Sequence, residues 1–316
     1  MSSWTLKSVP PHDWFICLDV DSYFDHEHNP EKIFEEGFTR PLPLDERDIV
    51  VTTFFNGDPE KPEFQITSPE DLTKDEIRQA NERLARIFGT NIDLRPFYDQ
   101  AAGDPVLGPK MSEFYGLKRM ARATLFEDIV NRIIQMRLSH KPTAKKMVYK
   151  VREAYGTHLV HNSKTLPAWP RPFQLGKADP AQIRKLGPTL RKGEFITGLA
   201  QDMLAGEVDL TWLDKKADPV TFYNTISKVK GIGPTTAQDL MLFRESTDAV
   251  FPSNIQKGEE RGLRRWIILS YGGDPEKTTE EEFQEMIANW KGYEASAIEF
   301  LFVNWVVSRK REEGKK

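Results

Sequence analysis

The stretch VKGIGPTT, residues 229–236, places two glycines and a proline between two helical segments. Gly231 and Gly233 permit positive φ, so the pattern predicts a reversal of the chain within a few residues. Pro234 suits the first turn of the following helix. The free amides of that turn carry the positive end of the helix dipole, and a phosphate is a natural ligand there. An ordinary helix–helix corner, in which the glycines only turn the chain, is the alternative.

Strand-forming residues are concentrated at the start of the chain. Three β-branched and aromatic runs predict strands, at residues 14–20, 48–55 and 63–68. Thr73 and Glu76 then have the spacing of a capping box, which predicts a helix that ends at Gly89. The remainder of the chain has helical spacing of apolar residues almost throughout. The sequence therefore predicts an α+β domain with an antiparallel sheet over residues 1–90 and a mostly helical domain over residues 91–316.

The charge balance and the cysteine content exclude several classes of protein. The formal net charge of −4 over 316 residues argues against a surface coated with basic charge, but it permits a local basic groove. Because Cys17 is the one cysteine, an intrachain disulfide and a cysteine-ligated iron–sulfur cluster are both excluded. The N-terminus has no apolar signal region, and the longest apolar stretch, residues 300–307, is too short to span a bilayer. We therefore expect an intracellular protein without a membrane-spanning segment.

Four segments carry a resemblance to a known family, at residues 95–120, 126–147, 190–210 and 229–254. The last of them holds the glycine turn and a Phe-Pro corner, VFPSN. The chain resembles the helix-hairpin-helix DNA glycosylase superfamily, in particular the 3-methyladenine DNA glycosylase II family. The resemblance covers most of residues 91–316 and, more weakly, residues 1–90. It implies an α+β N-terminal domain followed by two helical lobes with a cleft between them.

The resemblance also implies a role for the glycine turn, namely a grip on the DNA backbone without readout of sequence. The DNA-contacting residues that it implies are Lys230, Gly231, Gly233, Thr235 and Thr236. It further implies a structural Na⁺ or K⁺ ion, held by the main-chain oxygens of Ser227, Val229 and Ile232. No other cofactor is implied.

Further positions are carried over from the resemblance one at a time. Arg137 stands where the family places a residue that fills the DNA gap left by a flipped base. Because it extends the apolar stripe of the preceding helix, we expect it to face the cleft, with a surface arginine of no special role as the alternative. Met136 and Tyr293 are assigned to the base pocket. Trp290 and Trp305 are weaker candidates for the pocket, and we expect both in the core.

Two substitutions relative to the family pattern bear on the chemistry. Thr235 stands at the position of the nucleophilic lysine of bifunctional relatives, and a threonine cannot form a Schiff base. Base removal without strand cleavage is therefore implied. Asn254, two residues after Pro252, stands at the position of the catalytic aspartate and carries no charge. One unit charge at about 4 Å in a medium of effective dielectric ~20 is worth roughly 4 kcal/mol, on the order of a thousandfold in rate.

The sequence leaves two questions open, which carboxylate takes part in the reaction and how Asn254 arose. Asp239, one helical turn beyond Thr235, is an alternative carboxylate for the reaction. An engineered carboxylate-to-amide change and natural divergence would both produce Asn254.

The leading hypothesis is a monofunctional DNA glycosylase of base-excision repair, which flips and hydrolytically removes damaged bases, in particular alkylated ones. The protein would act directly or be present in an inactivated form. A second hypothesis is a non-catalytic protein that binds lesions or bent DNA, and a third is a helical scaffold for protein partners. Under the first two, the partner is double-stranded DNA, the protein is a monomer, and its location is the cytoplasm and nucleoid, or the nucleus of a eukaryotic cell.

Overall fold

The computed structural model describes residues 1–20, 32–34, 37–138 and 140–313. An antiparallel sheet forms the start of the chain, and its strands are β1 Ser2–Lys7, β2 Lys32–Phe34, β3 Gly37–Pro43, β4 Asp48–Phe55 and β5 Glu63–Ser68. The strand order is β1-β5-β4-β3-β2, and every neighbouring pair is antiparallel. The predicted α+β start with an antiparallel sheet is confirmed, as are the strands predicted at 48–55 and 63–68.

The strand predicted at residues 14–20 is wrong, because this segment is a helix, α1 Trp14–Val20. The side chain of Asp13 accepts hydrogen bonds from the backbone N–H groups of Phe15 (2.9 Å) and Ile16 (3.2 Å), which is how a capping residue starts a helix. Trp14 is fully buried, and its ring packs at 5.8 Å from the ring of Phe38 in β3. A short apolar run does not by itself distinguish a strand from a buried helix.

Helix α2, Lys74–Phe88, confirms the prediction made from the capping box. Thr73 and Glu76 cap each other reciprocally, and Gly89 ends the helix in the left-handed conformation with φ 66°. The ring of Phe88 stacks on that of Phe64 in β5 at 4.5 Å, so α2 covers the face of the sheet that α1 also covers.

The rest of the chain is mostly helical, as predicted. Its helices are α3 Arg95–Ala101, α4 Leu125–Gln135, α5 Lys141–Tyr155, α6 Pro172–Leu175, α7 Pro180–Lys185, α8 Leu190–Leu204, α9 Leu210–Lys215, α10 Pro219–Ile226, α11 Pro234–Met241, α12 Leu263–Ser270, α13 Glu280–Met286 and α14 Glu294–Glu313. Two small hairpins interrupt them, formed by β6 His158–His161 with β7 Lys164–Pro167 and by β8 Ile255–Gln256 with β9 Glu259–Glu260. The hydrophobic core is continuous from the sheet into the helices.

A buried arginine joins the sheet region to the helices. Arg86 on α2 makes ion pairs with Asp128 on α4 and Asp214 on α9, and it donates to the main-chain oxygen of Phe243 at 2.8 Å. Arg122 pairs with the other oxygen of Asp128 at 2.9 Å. Because all these groups are buried, the arrangement fixes how α2, α4 and α9 are placed relative to one another.

Within the residues that the structure describes, none of the helices combines the length and the apolar character that crossing a membrane requires.

Candidate active site

Helices α10 and α11 form the predicted helical hairpin, and the two glycines of its turn have different conformations. Gly231 has φ 91°, and a Cβ atom there would lie 2.2 Å from the ring of Phe195, so this position requires glycine. Gly233 has φ −94° and ψ 174°, which is an extended conformation open to any residue. Of the two glycines that permit positive φ, Gly231 therefore adopts it and Gly233 does not, and the predicted reversal of the chain is confirmed.

The hairpin presents the start of α11 to solvent. Gly233 is the N-cap without a side-chain hydrogen bond, and nothing lies within 4 Å of the position that a Cβ atom would take there. Thr235 and Thr236 are the second and third residues of the helix, so their amides belong to the orphan donors of its first turn. Lys230 is exposed just before them. These groups form an unobstructed place for an anion.

The predicted ion ligands all lie in the same turn. The main-chain oxygen of Val229 accepts a hydrogen bond from the N–H of Ile232 at 3.0 Å, which uses one of its two lone pairs. Ser227 lies at the C-terminal end of α10, where carbonyl oxygens are left without helical partners. Carbonyl oxygens of this kind suit a hard cation such as Na⁺ or K⁺.

Asn254 is packed against the first turn of α11, at the end of the corner formed by residues 251–254. Its Nδ2 donates to Oγ1 of Thr235 at 3.0 Å, and its Oδ1 accepts from Nε2 of Gln256 at 3.1 Å. The residue is 8% exposed. The structure thus brings together Asn254 and Thr235, which lie nineteen positions apart in the sequence.

Gln238 on α11 ties the corner to α12. Its Nε2 donates to the main-chain oxygen of Pro252 at 2.9 Å, and its Oε1 accepts from the N–H of Leu263 at 3.0 Å. This glutamine is fully buried, and it satisfies one of the orphan donors of α12. Our reading of the sequence overlooked it, although a polar side chain on the buried face of a short helix signals such a role.

Glu260 in β9 is a second residue that the sequence did not reveal. It is 5% exposed, and its Oε1 accepts the N–H of Asn254 at 2.7 Å and the N–H of Arg261 at 3.2 Å. Its Oε2 accepts the hydroxyl of Ser253 at 2.6 Å. The β8–β9 hairpin brings it there, since Glu260 pairs with Ile255 directly after Asn254. The corner therefore contains a buried carboxylate beside the neutral Asn254.

A cleft of about 560 Å³ opens between α4, α11, α12 and α14. Its lining residues are Arg122, Asp128, Asn131, Arg132, Gln135, Asp239, Leu242, Phe243, Leu263, Trp266, Ile298, Glu299, Phe302 and Trp305. Four of them are aromatic, and three of these form a chain of rings, with the ring centre of Phe302 6.5 Å from that of Trp266 and 6.0 Å from that of Trp305. The cleft is large enough for a planar aromatic ligand, and its walls offer both stacking surfaces and charged groups.

Asp239 connects the cleft with the corner. It lies four residues after Thr235 on the same face of α11, and Thr235 contacts Asn254. Its carboxylate forms an ion pair with Arg132 on α4. Burial raises the pKa of Asp239, and the charge of Arg132 acts against this rise. Asp239 is thus a cleft carboxylate with its own counter-ion.

The residues predicted for the base pocket lie elsewhere. Tyr293 is not among the residues that line the cleft; its ring stacks on Phe97 at 5.7 Å. Met136 comes after the end of α4 and turns to the hairpin, where its sulfur accepts the hydroxyl of Thr236 at 3.8 Å. Trp290 is fully buried, as expected. Trp305 is 49% exposed and lines the cleft, so the expectation of a core residue is wrong for it.

Arg137 does not continue the stripe of α4, because the helix ends at Gln135. It is exposed in the following turn with φ 59°, a conformation that is unusual for a residue with a side chain. Nζ of Lys192 on α8 donates to the main-chain oxygens of Ile134 (2.8 Å) and Met136 (2.7 Å) and so fixes this turn. Burial and the charge of Arg137 both lower the pKa of Lys192.

No protein-family model matches this sequence. Two proteins of Bacillus subtilis (strain 168) are similar to it. One, named DNA-3-methyladenine glycosylase, is 28% identical over 217 residues, which are 68% of each chain. The other, named as a DNA-3-methyladenine glycosylase by inference, is 25% identical over 134 residues, which are 42% of this chain and 44% of that protein.

Solved structures share the fold over nearly the whole chain. The 3-methyladenine DNA glycosylase of Archaeoglobus fulgidus superposes with a TM-score of 0.75 over 95% of this chain and 97% of that one, at 20% identity. The fold is that of the helix-hairpin-helix DNA glycosylases. The 8-oxoguanine glycosylase/lyase of Clostridium acetobutylicum, in its apo form, has a TM-score of 0.69 at 16% identity and covers 96% of both chains. The resemblance predicted from the sequence is confirmed at the level of this glycosylase fold.

Proposed function

We propose that this protein is a monofunctional DNA glycosylase that removes a damaged base from double-stranded DNA. The observation that carries the proposal is the contact between Asn254 and Thr235, which joins the corner to the α10–α11 hairpin, one helical turn from Asp239 in the cleft. The proteins to which it is similar are named DNA glycosylases, and one neighbour of the same fold was solved with double-stranded DNA that contains cytosine opposite 8-oxoguanine.

In this proposal the hairpin holds the DNA backbone and the cleft receives the base. A phosphate takes the amides of Thr235 and Thr236, with Lys230 beside it. The base leaves the helical stack, since its glycosidic bond cannot be reached inside the duplex. Arg137 fills the gap that the base leaves.

The lining of the cleft favours an alkylated base. Trp266, Phe302 and Trp305 offer stacking surfaces. Alkylation of a ring nitrogen gives a purine a positive charge, and a cation is attracted by aromatic faces. We therefore propose alkylated purines as the substrate class.

The reaction breaks the bond between the base and the sugar, and the electron pair of this bond leaves with the base. Water then adds to the sugar as a hydroxyl group and releases one proton to solvent. The departing base leaves positive charge on the sugar in an oxocarbenium-like state. Oδ1 of Asn254 accepts one hydrogen bond, from Gln256, and its second lone pair is suited to orient the water. Thr235 cannot form a Schiff base, so the product is an intact strand with an abasic site.

The test is a panel of duplexes that contain alkylated, deaminated or oxidised bases. We expect release of an alkylated purine, with strand breaks that appear only after alkali. Strand breaks without alkali would contradict the monofunctional assignment. Tight binding to lesions without release of any base would instead indicate a recognition protein, and no affinity for duplex DNA would leave only the scaffold hypothesis.

We also propose that the carbonyl oxygens of Ser227, Val229 and Ile232 bind Na⁺ or K⁺. The bound ion would make the hairpin more rigid and so favour its binding to the DNA backbone. Exchange of K⁺ for a large organic cation at equal ionic strength should weaken DNA binding and lower the melting temperature. Equal values in both salts would contradict the ion site. We further propose that the protein acts as a monomer and is located in the compartment that contains the DNA.

A further inference from the structure

The proposed reaction needs negative charge close to the sugar, and the side chain at the corner is neutral. Asn254 can orient a water, but it cannot offset an oxocarbenium-like charge. We propose that Glu260 supplies the negative charge of the corner and positions Asn254. This inference rests on the proposed glycosylase function and names a further residue of the same site.

The hydrogen bonds of Glu260 match those of an ionised carboxylate. Two N–H groups, of Asn254 and Arg261, converge on Oε1 at 2.7 and 3.2 Å, and the hydroxyl of Ser253 reaches Oε2 at 2.6 Å. An ionised carboxylate can only accept hydrogen bonds, and all three partners donate. A buried charge persists in a protein when it is hydrogen-bonded in this way.

Glu260 shares Arg264, its ion-pair partner, with another carboxylate. Nε of Arg264 lies 3.7 Å from Oε2 of Glu260, whereas its Nη1 makes a closer bond of 2.6 Å with Glu280. The guanidinium also lies over the ring of Phe283 at 4.0 Å. Two carboxylates, Glu260 and Glu280, thus face the one guanidinium of Arg264. Together the three side chains carry a net charge of one negative unit beside the corner.

Asp239 is less suited to this role. It faces the cleft in direct contact with the guanidinium of Arg132, which offsets its charge. Burial raises its pKa, as expected for a carboxylate that is held away from solvent. Its place in the cleft fits contact with the base, whereas Glu260 contacts the backbone of Asn254 itself.

The experiment removes the charge and leaves the shape. Glu260→Gln keeps the size of the side chain and an oxygen for the two N–H groups. We expect the rate of base release from bound DNA to fall by about a hundredfold, since a unit charge on the order of 6 Å from the sugar in a medium of effective dielectric ~20 has that effect. DNA affinity should stay unchanged. Glu259→Gln is the matched control, because it removes an exposed charge from the same hairpin, and its rate should equal that of the wild type.

A rescue separates the charge from a structural role. Asn254→Asp in the Glu260→Gln background returns one carboxylate to the corner, so we expect most of the lost rate to return. The aspartate can keep both contacts of Asn254, because Gln256 donates and the hydroxyl of Thr235 can turn to donate. A loss that the second change does not restore would show that Glu260 only supports the fold, and would overturn the proposal.

A third variant does not depend on how well Glu260→Gln folds. Asn254→Asp alone should raise the rate less than about tenfold, because the corner already holds a charge and a second one beside it is disfavoured. A gain on the order of a thousandfold would show that the wild-type corner has no effective charge, and would overturn the role of Glu260 while it supports the glycosylase function. If no variant releases a base from any lesion, the proposed function itself fails.

Discussion

At the scale of the residue, Arg137 occupies a strained position that its surroundings enforce. A left-handed backbone conformation costs a residue with a side chain about 1–3 kcal/mol. The ammonium group of Lys192 stabilises this conformation by binding the carbonyl oxygens on either side of Gln135. Contacts within the protein therefore fix the turn that carries Arg137, while the arginine side chain itself is exposed.

The first prediction concerns this arginine. Arg137→Ala should weaken binding to a duplex with an abasic-site analogue by about tenfold, and binding to intact duplex much less, because the side chain is needed where a base is missing. Titrations of both duplexes at the same salt concentration measure the difference. Lys230→Ala is the control, and its loss should be equal on both DNAs, since a phosphate contact does not sense the base. Equal losses for Arg137→Ala would reduce it to a phosphate contact.

The sequence predicted some residues of the site and not others, for a physical reason. Asn254 and Thr235 belong to short motifs with fixed spacing, so their positions could be inferred. Gln238 and Glu260 act through contacts that depend on how separate segments meet, and no local spacing encodes such contacts. The prediction that Trp305 lies in the core was wrong for a similar reason. The sequence shows that the residue is an apolar one on a helix, but it does not show whether the side chain faces the core or a cleft.

At the scale of the element, the fold requires one glycine of the α10–α11 hairpin, and the other is the one proposed to leave the backbone amides open to DNA. Gly231 is needed for the turn, because its φ is positive and the ring of Phe195 fills the space beside it. Gly233 is extended and faces open space, so a side chain there would cover the amides of Thr235 and Thr236 without strain in the fold.

The second prediction follows from this difference. Gly233→Val should leave the melting temperature nearly unchanged and weaken binding to every duplex alike, with a reduced dependence of affinity on salt because a phosphate contact is lost. Gly231→Val is the contrasting variant, and it should lower the melting temperature. Unchanged DNA affinity of a folded Gly233→Val protein would argue against the hairpin as the backbone grip.

The sequence predicted correctly whether a segment is a helix or a strand where it contains a full set of capping or turn residues. The capping box of α2 and the glycine turn of the hairpin are such signals. In α1 the signal was present but incomplete: Asp13 precedes the apolar run and caps it, yet the run itself is short enough for a strand. Burial of Trp14 against Phe38 and Phe88 decides between them, and that is a tertiary contact.

At the scale of the whole molecule, buried guanidinium groups join the sheet region to the helices, with Arg40 on β3 paired with Glu127 on α4 and Arg86 on α2 paired with Asp128 and Asp214. Arg86 satisfies carboxylates on α4 and α9 and carbonyl oxygens from two further segments. Its removal would leave buried charge without a partner, which is far more costly than the loss of an exposed ion pair.

The third prediction concerns the stability that is lost when Arg86 is removed. Arg86→Met should lower the free energy of unfolding in urea by about 3–5 kcal/mol, because Asp214 and Asp128 lose a buried counter-ion. Arg78→Met is the matched control on the same helix, where the arginine is exposed and pairs with Asp75 and Glu82, and it should change stability little. A small effect of Arg86→Met would mean that apolar packing and the remaining buried ion pairs, such as Arg40–Glu127, are sufficient to hold the helices in place.

A buried lysine gives the molecule a dependence on pH. Burial lowers the pKa of Lys118 to about 7, and in the unfolded chain a lysine titrates near 10.4. Between these two values the unfolded chain binds more protons, so stability should rise with pH by up to about 1.4 kcal/mol per unit. Burial also lowers the pKa of His12, which contacts Ser8 beside Lys118, and this makes stability fall as the pH drops below about 6.5.

The fourth prediction is that Lys118→Met removes the rise between about pH 7 and pH 10 and leaves the fall on the acid side. Unfolding in urea at a series of pH values measures both limbs. If the slope above pH 7 survives in the variant, another group causes it, and the lysine is not the source.

The β8–β9 hairpin has a consequence for how relatives of this protein are compared. Its loop consists of Lys257 and Gly258, both with positive φ, so the two strands meet in one register only. Since side chains alternate along a strand, a change in the loop that shifted the pairing by one residue would turn Glu260 outward and bring a neighbour inward. The electrostatics of the corner would then change with every residue of the Phe-Pro motif unchanged. If Glu260 has the role proposed for it, loop length in proteins of this fold is a chemical variable, and an alignment that treats such a gap as neutral would miss a change in reactivity.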